Sequence, residues 1–217
     1  MSNVIGPRRR GRPAGLQGAE LLTVARQTLF EFGLGGTTMS DVAARAGISK
    51  ASLYREHGSK DALFAAVVVD WAARGRDSIR PALDALLASD DLDAGLTELA
   101  RTIQAGVLDE DVLRMRRLVA AEADRFPAVA ARYVADSWHR NIAALADTFT
   151  ELDRRGSLMI ADPGVAAEQF TWLAVGGPLN QQTLGAGRPP QAVLDRTVRE
   201  AATTFLRRFR RAPSPDE

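Results

Sequence analysis

Residues 37–64 read TTMSDVAARAGISKASLYREHGSKDALF, and their punctuation is that of two short helices and the start of a third. Thr38 is placed to cap a helix, and Asp41, three residues on, supplies the acidic half of a capping box. The spacing predicts a helix from Met39 to Ala46 with Val42, Ala43 and Ala46 on one face. Gly47 then reverses the chain, since glycine takes a left-handed conformation without a Cβ clash. Ser49 caps a second helix over Lys50–Glu56, and Ile48 and Leu53 stand at the two positions of a hydrophobic staple. Gly58-Ser59 closes that helix, and the next begins at Lys60. Two short helices around a glycine turn form the unit that reads DNA with its second helix in the major groove. The same pattern also occurs as plain packing in all-α proteins. The surface chemistry of the second helix shifts the balance toward the first reading. Leu53 points inward, while Lys50, Ser52, Tyr54 and Arg55 point outward as donors for phosphates and base edges.

Working outward, the segment from Leu21 to Phe64 resembles the DNA-binding domain of the TetR/AcrR family of transcriptional regulators. The resemblance is carried by LFEFG at 29–33, TTMSDVA at 37–43, AGIS at 46–49, LYR at 53–55 and SKDALF at 59–64, in order and without a gap. It implies an all-α homodimer whose C-terminal domain binds a small-molecule effector and thereby releases a palindromic double-stranded operator. It places base contacts at Lys50, Ala51 and Ser52, beside the cap Ser49, and backbone contacts at Thr38, Tyr54 and Lys60; Arg55 suits either. Two positions depart from the family pattern. Glu56 stands where a non-acidic residue is usual, and His57 stands where a phenylalanine plugs the core.

The 217 residues, 46% of them hydrophobic, are enough for one large or two small domains with a sizeable core. No run of 18 apolar residues and no basic-then-apolar leader is present, so the expectation is a soluble, cytoplasmic protein without membrane partners. Cysteine is absent and the histidines are two, which removes disulfides, thiol sensing and the usual zinc sites; no metal or other cofactor is expected. The net charge of +1 hides an asymmetry: residues 1–60 carry nine Lys/Arg against four acids, and the remainder is net −4. A basic head on an acidic body suits one nucleic-acid-facing end.

Residues 1–15 have no apolar period and form a basic arm. Its Arg8, Arg9, Arg10 and Arg12, around an Arg-Gly-Arg-Pro core, resemble a minor-groove hook; the alternative is a solvated tail. The first helix is expected over Leu16–Phe32, with Leu21, Leu22, Ala25, Leu29 and Phe32 facing the motif and Gly33, Gly35 and Gly36 ending it. A DNA-binding domain over 16–62 is then succeeded by a helical body over 63–211 and a polar tail over 212–217, about nine helices in all. The helix opening at Lys60 is expected to run to Ala88, bent near Pro81, and to connect head to body. Asp91 or Asp93 caps the next helix, and Asp109-Glu110-Asp111 opens another. A long helix from Phe126-Pro127 to Arg155 carries the stripe Val134, Trp138, Ile142, Leu145 and Phe149. Asp162-Pro163 opens a helix that Gly176-Gly177-Pro178 must interrupt or kink. The last helix places Leu194, Val198, Ala201, Phe205 and Phe209 at helical spacing.

Val112–Phe209 resembles the AefR-like branch of the family through LRMRRLVAAEADRFP at 113–127, ADPGVAAEQF at 161–170 and FLRRF at 205–209. For the effector, the body offers Trp71, Met115, Leu118, Glu122, Trp138, His139, Phe149, Phe170 and Trp172, although any one of these is more often ordinary core than pocket lining. For the homodimer, the resemblance points to the last two helices, with Gly177, Leu194, Val198 and Phe205; intramolecular burial is the alternative. An enzyme is not the reading, because no nucleophile–base–orienter set, phosphate loop or metal spacing stands out. A ligand-insensitive architectural DNA-binding protein is the remaining alternative.

Overall fold

The computed structural model describes residues 16–75 and 77–211, so the arm with Arg9, Arg10 and Arg12 and the tail at 212–217 lie outside the described residues. The described chain is helical, in two compact units, Met1–Val67 and Val68–Glu217. This division falls within one helix.

The first unit holds α1 (Gly18–Gly36), α2 (Met39–Arg45), α3 (Lys50–His57) and the start of α4 (Lys60–Arg74). Leu21, Ala25, Leu29, Val42, Ala43, Ala46 and Leu53 are buried as the periodicity requires. α1 outruns its expected end, but Gly33 breaks it with φ 65° and ψ 176°, so its last turn has a new direction. Phe32, expected in the core, is 46% exposed, with the Arg45 guanidinium 5.0 Å from its ring centroid. By angle it continues the stripe of Leu21, Ala25, Thr28 and Leu29, but it is the last residue before the break at Gly33.

The second unit holds α5 (Arg80–Leu87), α6 (Leu92–Val107), α7 (Glu110–Ala121), α8 (Pro127–Val134), α9 (Arg140–Arg154), α10 (Pro163–Thr183) and α11 (Gln191–Phe209). Asp91, Asp109 and Asp162 cap α6, α7 and α10 through their carboxylates. Two expected helices turn out differently. α4 stops at Arg74 instead of running to Ala88, because Gly75 leads into a turn where Asp77 adopts φ 60°. Arg140 holds that turn, donating to both Asp77 carboxylate oxygens at 3.0 and 3.1 Å. Pro81 then occupies the first turn of α5, where a missing N–H is harmless.

The long helix from Pro127 to Arg154 contains a π-helical turn at Ala135–His139. One extra residue in that turn rotates α8 about the helix axis relative to α9. Val134 therefore leaves the stripe and is exposed, whereas Leu145 and Phe149 beyond the bulge stay buried. Burial instead falls partly on Tyr133 and pushes its phenol pKa up.

Pro178 neither interrupts α10 nor leaves a polar group stranded. Proline lacks the N–H that would serve the carbonyl four residues back, that of Ala174. The buried Gln104 side chain supplies the missing donor, its Nε2 lying 2.9 Å from the Ala174 oxygen. Gln104→Leu should lower stability by about 1–3 kcal/mol, the cost of an unsatisfied buried acceptor. In a Pro178→Ala background the helix provides its own N–H, so the same change should cost less. Urea unfolding of the four proteins checks this; equal costs in both backgrounds would remove the explanation.

Candidate nucleic-acid interface

The capping box that opens α2 is complete. Thr38 Oγ1 accepts from the Asp41 N–H at 3.2 Å, and Asp41 Oδ2 accepts from the Thr38 N–H at 3.1 Å and its hydroxyl at 2.6 Å. Those Thr38 donors hold the Asp41 carboxyl below the usual carboxylate range. Gly47, at φ 66°, turns the chain, and Ser49 Oγ accepts from the Ser52 N–H at 3.0 Å to start α3. These two caps and the burial of Leu53 fix how α3 is presented. Ser49, Lys50, Ala51, Tyr54 and Arg55 are exposed and Ser52 half-exposed on its outer side. The five expected DNA residues of this helix and its cap Ser49 are thus all accessible, with Thr38 exposed at the head of α2.

Lys60 is arranged differently. A lysine in the first turn of a helix is unfavourable, and the sequence offered a phosphate as its partner. In the fold its Nζ donates to the carbonyls of Leu34 at 2.7 Å and Thr37 at 3.0 Å. These lie at the end of α1, where carbonyls lack helical donors and the helix dipole favours a cation. An ammonium has three donors, so one remains for a phosphate. Lys60→Met should lower stability by about 1–3 kcal/mol with no DNA present. Thermal unfolding of the free protein tests it, since a purely phosphate-contacting lysine would leave the midpoint unchanged.

The other departures are also placed. His57 is half-buried at the end of α3, and its Nε2 is 3.7 Å from Glu56 Oε1, beyond hydrogen-bond distance. Arg45 is paired with Glu31 at 2.6 Å and so is not a free DNA-facing cation. Sequence reasoning missed that pair because its members lie fourteen residues apart on different helices.

In the second unit the expected effector residues divide between the core and the surface. Phe149 and Phe170 interlock with Phe205, with centroids 4.7 to 5.7 Å apart, and all three are fully buried. Met115 and Leu118 are buried, and Trp71 and Glu122 are half-buried. Trp138, from the π turn, stands 5.1 Å from Trp172, while His139 is exposed. A surface groove of about 440 Å³ between α10 and α11 is lined by Gln169, Trp172, Leu173, Thr204, Phe205, Arg208 and Phe209, of which only Trp172 belongs to the expected effector set.

Of the four expected dimer residues, three face inward and one is open. Leu194, Val198 and Phe205 are buried in their own unit and serve its core. Gly177 is exposed, with open space where a Cβ would stand. Accessible apolar side chains along the last two helices are Val165, Trp172 (46%) and Leu173 (40%) on α10, Leu184 (75%) at its C-cap and Val193 on α11. No helix among the described residues is long and apolar enough to cross a membrane, and none of their acidic and histidine side chains cluster as a metal site.

The fold and the exposed side of α3 define a helix-turn-helix DNA-binding protein. Residues 21–67 match the profile of bacterial regulatory proteins of the tetR family, and residues 94–211 match that of the AefR-like transcriptional repressor C-terminal domain. The chain belongs to the TetR family and is a DNA-binding transcriptional regulator. A TetR-family regulator from Mesorhizobium loti is 30% identical with TM-score 0.83, over 88% of this chain and 95% of that one. The flavonoid-responsive regulator FrrA is 27% identical with TM-score 0.70, over 91% and 96%. A TetR regulator from Agrobacterium tumefaciens, 23% identical with TM-score 0.64 over 88% and 93%, shares the fold. No curated protein sequence matches the chain.

Proposed function

We propose that the protein is a homodimeric repressor that binds a palindromic operator and leaves it when a small-molecule effector enters the Val68–Glu217 unit. The observation that carries the dimer is the accessible apolar stripe on α10 and α11. Val165, Trp172 and Leu173 lie on one side of α10 with Leu184 at its C-cap, and solvent-facing apolar side chains in such a row mark an association surface. A second copy related by two-fold symmetry meets the stripe with the same stripe. Two copies of α3 then read two half-sites about one helical turn, roughly 34–36 Å, apart.

In this reading Lys50, Ala51, Ser52 and Arg55 face the bases, and Thr38, Ser49, Tyr54 and Lys60 face the backbone. Arg9, Arg10 and Arg12 add contacts from the arm. The effector site lies in the second unit near the π turn, because such turns concentrate at functional sites and this one carries Trp138. FrrA makes flavonoids the first effectors to try.

The test is selection of duplexes from a random library by the full-length protein, then titration of the selected duplex with and without a flavonoid panel. A palindrome bound at least about a thousandfold above bulk DNA supports the repressor reading. Equal affinity for palindrome and bulk DNA would favour the architectural alternative.

A further inference from the structure

Residues advance about 100° around a helix, so the buried Leu53 defines which side of α3 is central to its outer face. Ala51 and Arg55, two residues before and after it, lie about 160° away, and Lys50 lies only about 60° away. Lys50 flanks the buried edge, with its Nζ 5.8 Å from the Tyr54 ring centroid. Arg55 occupies the centre. Its side chain is also aimed: Nη2 donates to Ser52 Oγ at 3.3 Å. Ser52 Oγ is in turn 2.9 Å from Ser49 Oγ, the cap of the helix. This chain of contacts draws the guanidinium back toward the first turn of α3, the part of a recognition helix that approaches base edges. No acid competes for it, since Arg55 has no ion pair among the described residues. A guanidinium has five N–H donors in a fork, and Ser52 takes one, leaving a parallel pair free.

We propose that Arg55 is the base reader of α3, recognising the O6 and N7 of a guanine, and that Ser52 is a positioning residue acting through Arg55. This rests on the operator-binding reading and changes its assignment of Ser52 from base contact to support. It also moves Lys50 toward the phosphates beside Tyr54.

The experiment is selection from a random duplex library at fixed salt with the full-length protein and with Arg55→Ala, Arg55→Lys, Ser52→Ala, Ser52→Thr and the Ser52→Ala/Arg55→Ala double variant. The wild type should enrich a G·C pair in each half-site. Arg55→Ala and Arg55→Lys should each lose about ten- to a hundredfold of discrimination at that pair, because lysine keeps the charge but not the fork. Ser52→Ala should weaken discrimination at the same pair and add nothing to Arg55→Ala, and Ser52→Thr, which keeps the hydroxyl, should retain it. The proposal is overturned if Ser52→Ala changes preference at a different base pair, or if Arg55→Ala weakens all sequences alike with the motif unchanged. A wild type that enriches no motif would overturn the operator-binding reading along with it.

Discussion

Gly177→Glu should convert the protein to a monomer that binds its operator at least about a thousandfold more weakly, down to the affinity for unrelated DNA. The site is chosen because the structure separates it from the core. Gly177 is exposed, and a Cβ there meets nothing within 4 Å, so the protomer tolerates the side chain. A carboxylate introduced into an isologous interface appears twice, once on each subunit, and each charge loses water without gaining a partner. One helix-turn-helix alone contacts too little DNA to select a site. Phe205, equally prominent in sequence, would be uninformative: a charge there enters the aromatic core and unfolds the unit. Sedimentation of Gly177→Glu beside titration of the selected palindrome gives the answer. A folded monomer that keeps full operator affinity would sink the dimer mechanism.

Phe149→Ala should destabilise the protein by about 3–5 kcal/mol, as expected for a large side chain removed from a filled core. Its ring lies against Phe170 and Phe205, tilted at 31° to the latter and near-perpendicular to the former, and none of the three is accessible. Such rings hold one another in defined orientations and add to the burial of their surface. The prediction separates this core role from the effector-lining role suggested by sequence. A ring lining an empty pocket costs little to truncate and would change the effector response instead. Chemical denaturation distinguishes the two, and a loss below about 1 kcal/mol would return Phe149 to the pocket.

Residues 16–75 were largely legible because their structure is dictated locally. Thr38 with Asp41, Gly47, Ser49 and Gly58 are caps and turns whose partners lie within a few residues, so their spacing states the geometry outright. The outward set on α3 came from the same local register and from Leu53 alone pointing in. The family resemblance added roles to these positions, and the AefR-like resemblance of the body added its class.

The features that only the tertiary structure decided depend on partners distant in the chain. Lys60 is bound by carbonyls of α1, Asp77 by Arg140, and the gap left by Pro178 by Gln104. Composition cannot show that a charge already has a partner 26 or 63 residues away. The π turn at Ala135–His139 is similarly silent in sequence, since one inserted residue leaves the apolar period intact on either side while rotating one half against the other. α10 carried the largest ambiguity. Its apolar residues surround the helix, with Phe170, Ala174 and Leu179 buried on one side and Val165, Leu173 and Leu184 accessible on the other. Periodicity identifies a face only when the opposite face is polar. Where both are apolar, the neighbours α6, α9 and α11 choose which side becomes core, and the side they leave uncovered is the one available to a second copy.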